Sequence, residues 1–302
     1  MTTLAAAMAE RPVVLDGGLA TQLESQGHDL SSALWSARLL ADHPQAVSDA
    51  HREFFAAGAE VAITASYQAS FDGFAAIGID RSDAETLMRR SVEVARVAAG
   101  EASDRPRWVA ASVGPYGAAL ADGSEYRGDY GLTVAELRAW HRPRIEVLAD
   151  AGADVLACET IPCLSEAEAL LTELAGSGVP CWLSMTAVDD RTRAGESLAE
   201  AYVMAAEVTE VIAVGVNCVD PVTVSEQVRI AAASGKPVVA YPNSGEVWDA
   251  VGRRWHGRSQ IDATGATVWI QAGARLVGGC CRVTPTMIKQ LSGGGTHDAE
   301  RQ

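Results

Sequence analysis

The sequence contains no long apolar run and no block of positive charge. No stretch approaches the roughly 20 consecutive apolar residues of a membrane-spanning helix. The first residues lack the basic start of a secretory signal peptide, so a cytoplasmic location is expected. Lysine and arginine number 24 against 39 aspartates and glutamates, which gives a net charge of −15. Such a surface repels nucleic-acid phosphates, so neither nucleic acid nor a membrane is an expected partner.

Several familiar motifs are also absent. Neither a G-x-G-x-x-G fingerprint nor a Walker sequence occurs, so we predict no Rossmann-type nucleotide site. The 6 cysteines include no C-x-x-C pair, and without a secretory signal they do not suggest a disulfide framework. Adjacent cysteines such as Cys280 and Cys281 rarely bond to each other, because the intervening peptide must strain. This pair therefore needs another explanation.

Short, nearly continuous apolar runs alternate with stretches of helical periodicity. Such runs indicate strands that are buried on both faces, as in a parallel sheet. Strands alternating with helices over 302 residues predict an α/β protein with a single (β/α)8, TIM-type barrel, and an open doubly wound sheet is the alternative. The predicted strands are Pro12–Leu15, Val61–Ala65, Trp108–Ser112, Val155–Cys158, Cys181–Met185, Ile212–Val216, Val238–Tyr241 and Leu276–Gly278.

No linker or change of composition divides the chain, so we expect one domain. The barrel is predicted to cover residues 11–292. Residues 1–10 are expected to form a flexible N-terminus, either frayed or a short helix. Residues 293–302, which are glycine-rich and then polar, are expected to form a disordered tail.

Three cysteines follow predicted strands at their carboxyl ends, the face of a barrel where substrates bind. Cys218 follows the sixth strand, and Cys280 and Cys281 follow the eighth, so these distant residues are expected to converge. Zinc prefers soft thiolate ligands, and three protein ligands leave a fourth position for water or substrate. The pattern therefore predicts a zinc site, with a redox-active or nucleophilic cysteine as the alternative.

Other polar residues at the strand ends are candidates for substrate binding. A carboxylate at Asp16 or Glu159 can hold an amino group, and the amide of Gly17 can meet a carboxylate. The alternatives are a turn residue for Asp16 and an ion pair or helix cap for Glu159. Asn217 can orient a substrate or backbone group, or stabilise a turn.

The glycine-rich segment 114–131 follows the third strand without helical periodicity. A loop of this length in a compact domain is usually functional. Its acidic and aromatic residues can accommodate a cationic group by charge and cation–π attraction, or the segment can serve as a surface lid. These residues are Glu125, Tyr126, Asp129 and Tyr130.

Taken together, the motifs resemble the homocysteine S-methyltransferase family, most closely its S-methylmethionine-using branch. The matching segments run from about residue 11 to residue 290: LDGGLATQLE, ITASYQAS, SVGPYGAALADGSEYRGDYG, CETIP, GVNC, YPNSGEVWD and GGCCRVTP. The resemblance implies a cytoplasmic (β/α)8-barrel enzyme that transfers a methyl group to the sulfur of L-homocysteine and forms methionine. It also implies catalytic zinc at Cys218, Cys280 and Cys281.

The resemblance further implies how the substrates bind. Asp16 and Glu159 are expected to hold the homocysteine ammonium, while amides near Gly17 and Thr64 receive its carboxylate, and Asn217 is a further candidate. Related betaine-using enzymes carry a tyrosine after the equivalent of Glu159, whereas this chain has Thr160. The chain also lacks room for the extra domains of cobalamin-dependent methionine synthases.

The methyl donor and the acceptor are less closely specified. S-methylmethionine is the preferred donor, and S-adenosylmethionine is the alternative because it carries the same reactive sulfonium. Selenocysteine or another thiol as acceptor remains open, as do a non-catalytic zinc-binding barrel and a metal-free cysteine-nucleophile enzyme. The sequence does not specify the oligomeric state.

Overall fold

The computed structural model describes residues 2–30, 36–101, 105–249 and 254–294. Its central feature is an 8-stranded parallel sheet in which neighbours in the sheet are also neighbours in the chain. All the predicted strands are present, with small shifts at their ends. They are β1 (Val13–Val14), β2 (Val61–Ile63), β3 (Trp108–Val113), β4 (Val155–Ile161), β5 (Cys181–Met185), β6 (Val211–Asn217), β7 (Val238–Tyr241) and β8 (Ala274–Val277).

The sheet closes on itself between its first two strands. Leu15 and Val61 form a parallel bridge. On either side of it, the Asp16 amide donates to the Val61 carbonyl over 3.0 Å, and the Glu60 amide donates to the Val14 carbonyl over 2.7 Å. The prediction of a (β/α)8 barrel is therefore confirmed, and an open doubly wound sheet is excluded.

Helices surround the barrel and connect successive strands. Side-chain caps fix several of their starts, such as Asp80 before α6 and the reciprocal Thr133–Glu136 capping box before α8. The helices are α1 (Leu4–Glu10), α2 (Leu19–Ser25), α3 (Ser36–Asp42), α4 (Pro44–Ala56), α5 (Phe71–Ala76), α6 (Arg81–Gly100), α7 (Tyr116–Leu120), α8 (Val134–Asp150), α9 (Leu164–Leu174), α10 (Leu198–Ala206), α11 (Val224–Ala232), α12 (Ala263–Ala272) and α13 (Pro285–Gly294).

Shorter elements decorate the loops. A 3₁₀ turn covers Ser124–Tyr126 within the segment that follows β3. Two hairpins also lie outside the barrel, Ala187–Val188 with Arg191–Thr192 and Val247–Asp249 with Arg254–His256.

The core has two layers because successive strand residues point to opposite faces. Along β3, Trp108 and Ala110 pack inside the barrel, whereas Val109 and Ala111 pack against the surrounding helices. Both faces of each strand are therefore apolar, which explains the continuous apolar runs in the sequence.

Of the two expectations for residues 1–10, a frayed end or a short helix, the structure contains the short helix. Residues 4–10 form helix α1, and Leu4, Ala7 and Met8 are buried among the side chains that fill the barrel interior. The Trp108 indole also donates a hydrogen bond to the Thr2 carbonyl over 3.1 Å. These contacts make α1 part of the barrel core, because its apolar face covers the interior near the starts of the strands.

At the other end, helix α13 continues to Gly294, two residues past the predicted barrel boundary at 292. The rest of the predicted tail, residues 295–302, lies outside the described residues. None of the helices in the described part of the chain has the length and apolar character needed to span a membrane.

Candidate active site

Three cysteines meet at the carboxyl ends of the strands. Cys218 directly follows β6, and Cys280 and Cys281 follow β8. Their sulfur atoms lie within 4.8 Å of one another, and none of these cysteines forms a disulfide. The convergence predicted from the strand positions is therefore present.

Hydrogen bonds and close packing fix the backbone around these cysteines. Cys218 has a φ of 50°, in the left-handed region, which turns the chain sharply at the end of β6. The Cys280 amide donates to the Pro242 carbonyl over 2.7 Å, and the Cys281 amide donates to Asn243 Oδ1 over 3.1 Å. Gly279 must lack a side chain, because an added Cβ would lie 2.2 Å from a Val283 methyl carbon. The loop after β7 thus supports the cysteine pair.

The sulfur positions fit a tetrahedral metal ion. Sγ of Cys281 lies 3.9 Å from that of Cys218 and 4.0 Å from that of Cys280. A tetrahedral zinc ion with Zn–S bonds of about 2.3 Å separates its sulfur ligands by about 3.8 Å. The three side chains therefore need little movement to share one ion, and a fourth position stays open.

Electrostatics also favour a cation between the sulfurs. Hydrogen bonds from Cys218 and Cys280 lower the pKa of the Cys281 thiol well below its usual value. The same mutual contacts, together with burial, raise the pKa of Cys280. One thiolate is thus stabilised at the expense of its neighbours, and a metal ion is the natural replacement for the remaining protons.

The cysteines lie in a cleft of about 800 Å³, which includes space open to solvent. Glu125 and Glu159 line it, and among the described residues its wall contains no lysine, arginine or histidine. The aromatic part of the wall consists of Tyr67, Tyr126 and Tyr241. The cleft is therefore suited to positively charged ligands.

Glu159, at the end of β4, is a buried carboxylate that borders the cleft. The Ser112 hydroxyl donates a hydrogen bond to its Oε1. Burial raises the pKa of Glu159 to about 7, because the charged form loses hydration. An incoming ammonium group would offset that loss, so the placement fits the predicted role.

Asp16 lies beside the cleft after β1 and is 1% exposed. Its Oδ2 accepts a hydrogen bond from the Ile63 amide over 2.8 Å, while Oδ1 has no partner among the described residues. Burial raises the pKa of Asp16 well above its usual value, and Glu159 adds to the increase. Burial also lowers the pKa of His51, whose Nδ1 lies 4.0 Å from Oδ2, to about 4, so that histidine is neutral near pH 7.

Gly17 and Thr64, the two positions near which the substrate carboxylate is predicted to bind, differ in the hydrogen bonding of their backbone amides. Gly17 lines the cleft, and its amide has no acceptor within the described part of the chain. The Thr64 amide is already used, because it donates to the Ala110 carbonyl over 3.0 Å. An amide near Thr64, rather than the Thr64 amide itself, would have to supply the predicted contact, which stays a prediction; the Thr64 side chain borders the cleft and accepts from the Ser112 amide over 3.0 Å.

Asn217 lies behind the cleft rather than in its wall, which differs from the predicted contact with substrate. Its side-chain oxygen accepts from the Thr160 amide over 2.7 Å and from the Ser184 hydroxyl over 2.8 Å. Its nitrogen donates to the Thr160 hydroxyl over 2.7 Å. Thr160 has a φ of 60°, so Asn217 stabilises the strained turn that directly follows Glu159.

Residues of the segment after β3 divide into two groups. Glu125 and Tyr126 reach the cleft. Asp129 instead pairs with Arg127 on the surface at 3.2 Å, and the Tyr130 ring packs edge-on against Tyr116. Of the predicted cation-binding residues, only the first two are therefore in position.

Sequence reasoning did not assign a role to Tyr67 or Tyr241, which both border the cleft. Tyr241 also accepts a hydrogen bond from the Trp182 indole over 3.1 Å. An aromatic residue in an apolar strand usually belongs to the core, so only their positions at strand ends could have indicated a role.

Fold and site together define a (β/α)8 barrel with a three-cysteine centre that fits a metal ion. Residues 13–293 match the model of the homocysteine S-methyltransferase family. The chain belongs to this family and is a methyltransferase.

Named relatives match nearly the full length of the chain. Homocysteine S-methyltransferase YbgG from Bacillus subtilis is 42% identical over 293 residues, with 93% of each chain covered. A homocysteine S-methyltransferase from Escherichia coli is 45% identical over 291 residues, which cover 92% of this chain and 94% of the relative. A selenocysteine Se-methyltransferase from Brassica oleracea is 41% identical, with 92% and 87% covered.

The fold matches a crystal structure within the same family. The metallated form of the homocysteine methyltransferase MmuM from Escherichia coli superposes with a TM-score of 0.85 at 41% identity, covering 94% of this chain and 96% of that one. The TM-score with the apo form of the same enzyme is 0.76.

Proposed function

We propose that this protein transfers a methyl group from a sulfonium donor, preferably S-methylmethionine, to the thiol of L-homocysteine, forming methionine. Zinc held by Cys218, Cys280 and Cys281 is part of the proposal. The observation that carries it is the grouping of three sulfur atoms within 4.8 Å of one another in a cleft with an acidic wall. Membership of the homocysteine S-methyltransferase family supports the choice of acceptor.

The three cysteines would hold the ion and leave one position for the homocysteine sulfur. When bound, zinc would lower the pKa of that sulfur and keep it nucleophilic at neutral pH. The cysteines themselves would then act as a fixed frame, because the Cys280 and Cys281 amides are bound to Pro242 and Asn243 and the Cys218 carbonyl accepts from the Thr186 hydroxyl.

Binding of homocysteine follows from the buried acids. Its ammonium group would pair with Glu159 and with the unpartnered Oδ1 of Asp16. Its carboxylate would accept from the Gly17 amide, which lines the cleft and has no acceptor within the described residues. These contacts fix the amino acid at one end and leave its sulfur at the cysteine centre.

The transfer then needs little chemistry from the chain. The homocysteine thiol loses its proton to solvent through the open cleft. Its sulfur bonds to the methyl carbon as the bond from that carbon to the donor sulfur breaks, and the electron pair leaves with a neutral thioether. No general acid is required, so catalysis depends mainly on positioning the two sulfur atoms in line.

Two related reactions are the alternatives. S-adenosylmethionine carries the same sulfonium, but the chain has no Rossmann nucleotide motif, which favours S-methylmethionine. Selenocysteine is a second candidate acceptor because a relative named selenocysteine Se-methyltransferase is 41% identical to this chain.

A metal assay combined with a donor and acceptor panel tests the proposal. Purified protein should contain about one zinc per chain and should form methionine from homocysteine, faster with S-methylmethionine than with S-adenosylmethionine. Cys218→Ala should lose both zinc and activity, whereas Cys181→Ala, in the outer core, should keep both. Full activity of Cys218→Ala in the presence of a chelator would refute the zinc mechanism.

A further inference from the structure

Glu125 is a carboxylate in the cleft wall that the binding of zinc and homocysteine leaves unused. It is half-buried, and its Oε2 is buried without a hydrogen-bond partner among the described residues. Buried acceptors are normally satisfied, so an unpaired one in a ligand cleft calls for a missing donor. Burial is the main cause of the raised pKa of Glu125, and the charge of Arg127 offsets it only in part.

The nearby arginines are engaged elsewhere. Arg127, two residues along, pairs with Asp129 at 3.2 Å and with Asp122 at 3.9 Å. The Arg193 guanidinium lies 5.5 Å from the centre of the Tyr126 ring, and its Nε donates to the Thr186 hydroxyl over 3.2 Å. Glu125 is therefore open to a cation that enters with a ligand.

Close backbone contacts hold the loop that carries Glu125 in one position against the barrel. An added Cβ on Gly117 would lie 2.4 Å from the Glu125 amide nitrogen, so the chain passes itself at van der Waals distance there. Gln68 donates to the Ala118 carbonyl over 3.1 Å, which ties the same loop to the end of β2. The backbone position of Glu125 is thus fixed by contacts to the barrel.

Tyrosines lie beside this carboxylate. Tyr126 lines the cleft together with Glu125 and Cys218, although the residue is 38% exposed. The Tyr67 phenol interacts electrostatically with Glu125 as well as with Cys218. Aromatic faces attract cations, and a sulfonium here would meet both rings close to the attacking sulfur.

The carboxylates thus form two groups around the cysteines. Asp16 follows β1 and Glu159 lies at the end of β4, and the charge of Glu159 adds to the raised pKa of Asp16, as expected for two acids that could share one ammonium group. Glu125 approaches from the loop after β3. Two amino-acid substrates each bring one ammonium group, so a second acidic position is required if the donor is S-methylmethionine or S-adenosylmethionine.

We propose that Glu125 is the donor-binding carboxylate: it accepts hydrogen bonds from the ammonium group of the sulfonium donor, while Tyr67 and Tyr126 flank the sulfonium. This inference rests on the proposed function. It makes Glu125 a determinant of donor affinity and leaves homocysteine affinity to Asp16 and Glu159.

The test compares Glu125→Gln with Asp129→Asn, a matched loss of one negative charge on the same loop. Steady-state kinetics are measured with S-methylmethionine and S-adenosylmethionine, each at saturating homocysteine, and zinc content is measured in parallel. Losing a charge-assisted hydrogen bond should raise the donor KM of Glu125→Gln by roughly 10- to 100-fold, with zinc content and homocysteine KM unchanged. Asp129→Asn should behave like the unmodified protein, because its side chain is on the surface.

The outcomes separate the two proposals. If the unmodified protein forms no methionine with either donor, the proposed function is wrong. If it turns over but Glu125→Gln and Asp129→Asn share the same donor KM, only the donor site is refuted. Glu125→Asp provides a further check, because a retained charge should recover part of the donor affinity. A donor KM that changes with one sulfonium and not with the other would also count against Glu125, because both donors carry the same ammonium group.

Discussion

Replacing Glu159 by glutamine is expected to weaken substrate binding and, at the same time, stabilise the metal-free protein. Glutamine has nearly the same shape, and its oxygen can still accept from Ser112, so packing is preserved. The carboxylate of Glu159, by contrast, is 6% exposed and its pKa is raised to about 7. Its ionised form therefore destabilises the folded state relative to the unfolded state.

The size and sign of this cost follow from linkage. A pKa of about 7 in the folded state, against the ordinary glutamate pKa of 4.5, corresponds to roughly 3 kcal/mol, at about 1.4 kcal/mol for each step of one in pKa. Because the folded pKa is the higher one, the penalty is absent below about pH 4.5, grows as pH rises towards 7 and is complete above it. Glu159→Gln should therefore remove up to roughly 3 kcal/mol of destabilisation at pH 8 and almost none at pH 4.5.

Thermal unfolding of chelated, reduced protein at these two pH values measures the effect. At pH 8 the variant should unfold several degrees higher, and at pH 4.5 the two proteins should unfold together. Homocysteine KM should rise roughly tenfold or more, since the ammonium loses a charged acceptor. Glu226→Gln, at an exposed glutamate, is the control and should change neither quantity. Equal stabilisation at both pH values, or a lower unfolding temperature at pH 8, would refute the reasoning.

Three further substitutions test separate parts of the structure. Gly279→Ala should displace the cysteine pair and lower zinc occupancy in a metal assay, whereas Gly100→Ala, in open space, should not. Met8→Ala should cost about 2–5 kcal/mol in denaturant unfolding because Met8 is 1% exposed in the core; an unchanged midpoint would mean that α1 does not pack there. Asn217→Ala should lower kcat/KM for homocysteine by roughly tenfold or more, because the turn at Thr160 loses its hydrogen bonds; unchanged kinetics would show that this turn needs no support.

The strands and the meeting of the cysteines could be predicted from local sequence because both depend on short-range patterns. Continuous apolar runs such as Val155–Cys158 indicate burial on two faces, and the barrel rule then places Cys218 beside Cys280. The burial of helix α1 was not predicted because its apolar side chains are few and mostly alanine. These side chains are buried because they pack into one end of the barrel interior. That interior is formed by strands from the whole chain, so no local pattern indicates it.

The roles of individual polar atoms could not be predicted, because they depend on register and on distant partners. Whether the Thr64 amide is free is decided by its hydrogen bond to Ala110 in the next strand. Arg144 is another case. It lies among charged residues of α8, yet it is 1% exposed, and its guanidinium donates to the Gly114 and Ser66 carbonyls over 3.0 and 3.2 Å. It ties together the ends of two strands beside the cleft, a role that no nearby residue indicates.

The charges of the cleft explain why a cationic methyl donor suits this centre. In the proposed reaction, a divalent ion shared by three thiolates would leave one negative charge in excess, and the cleft wall adds Glu125 and Glu159. Homocysteine would bind as a zwitterion and, after losing its thiol proton, would add another negative charge. A donor with a sulfonium and an ammonium group enters this field favourably and leaves as a neutral thioether with weaker attraction. The same field that concentrates the donor therefore promotes release of its product, and a neutral methyl donor would gain neither effect.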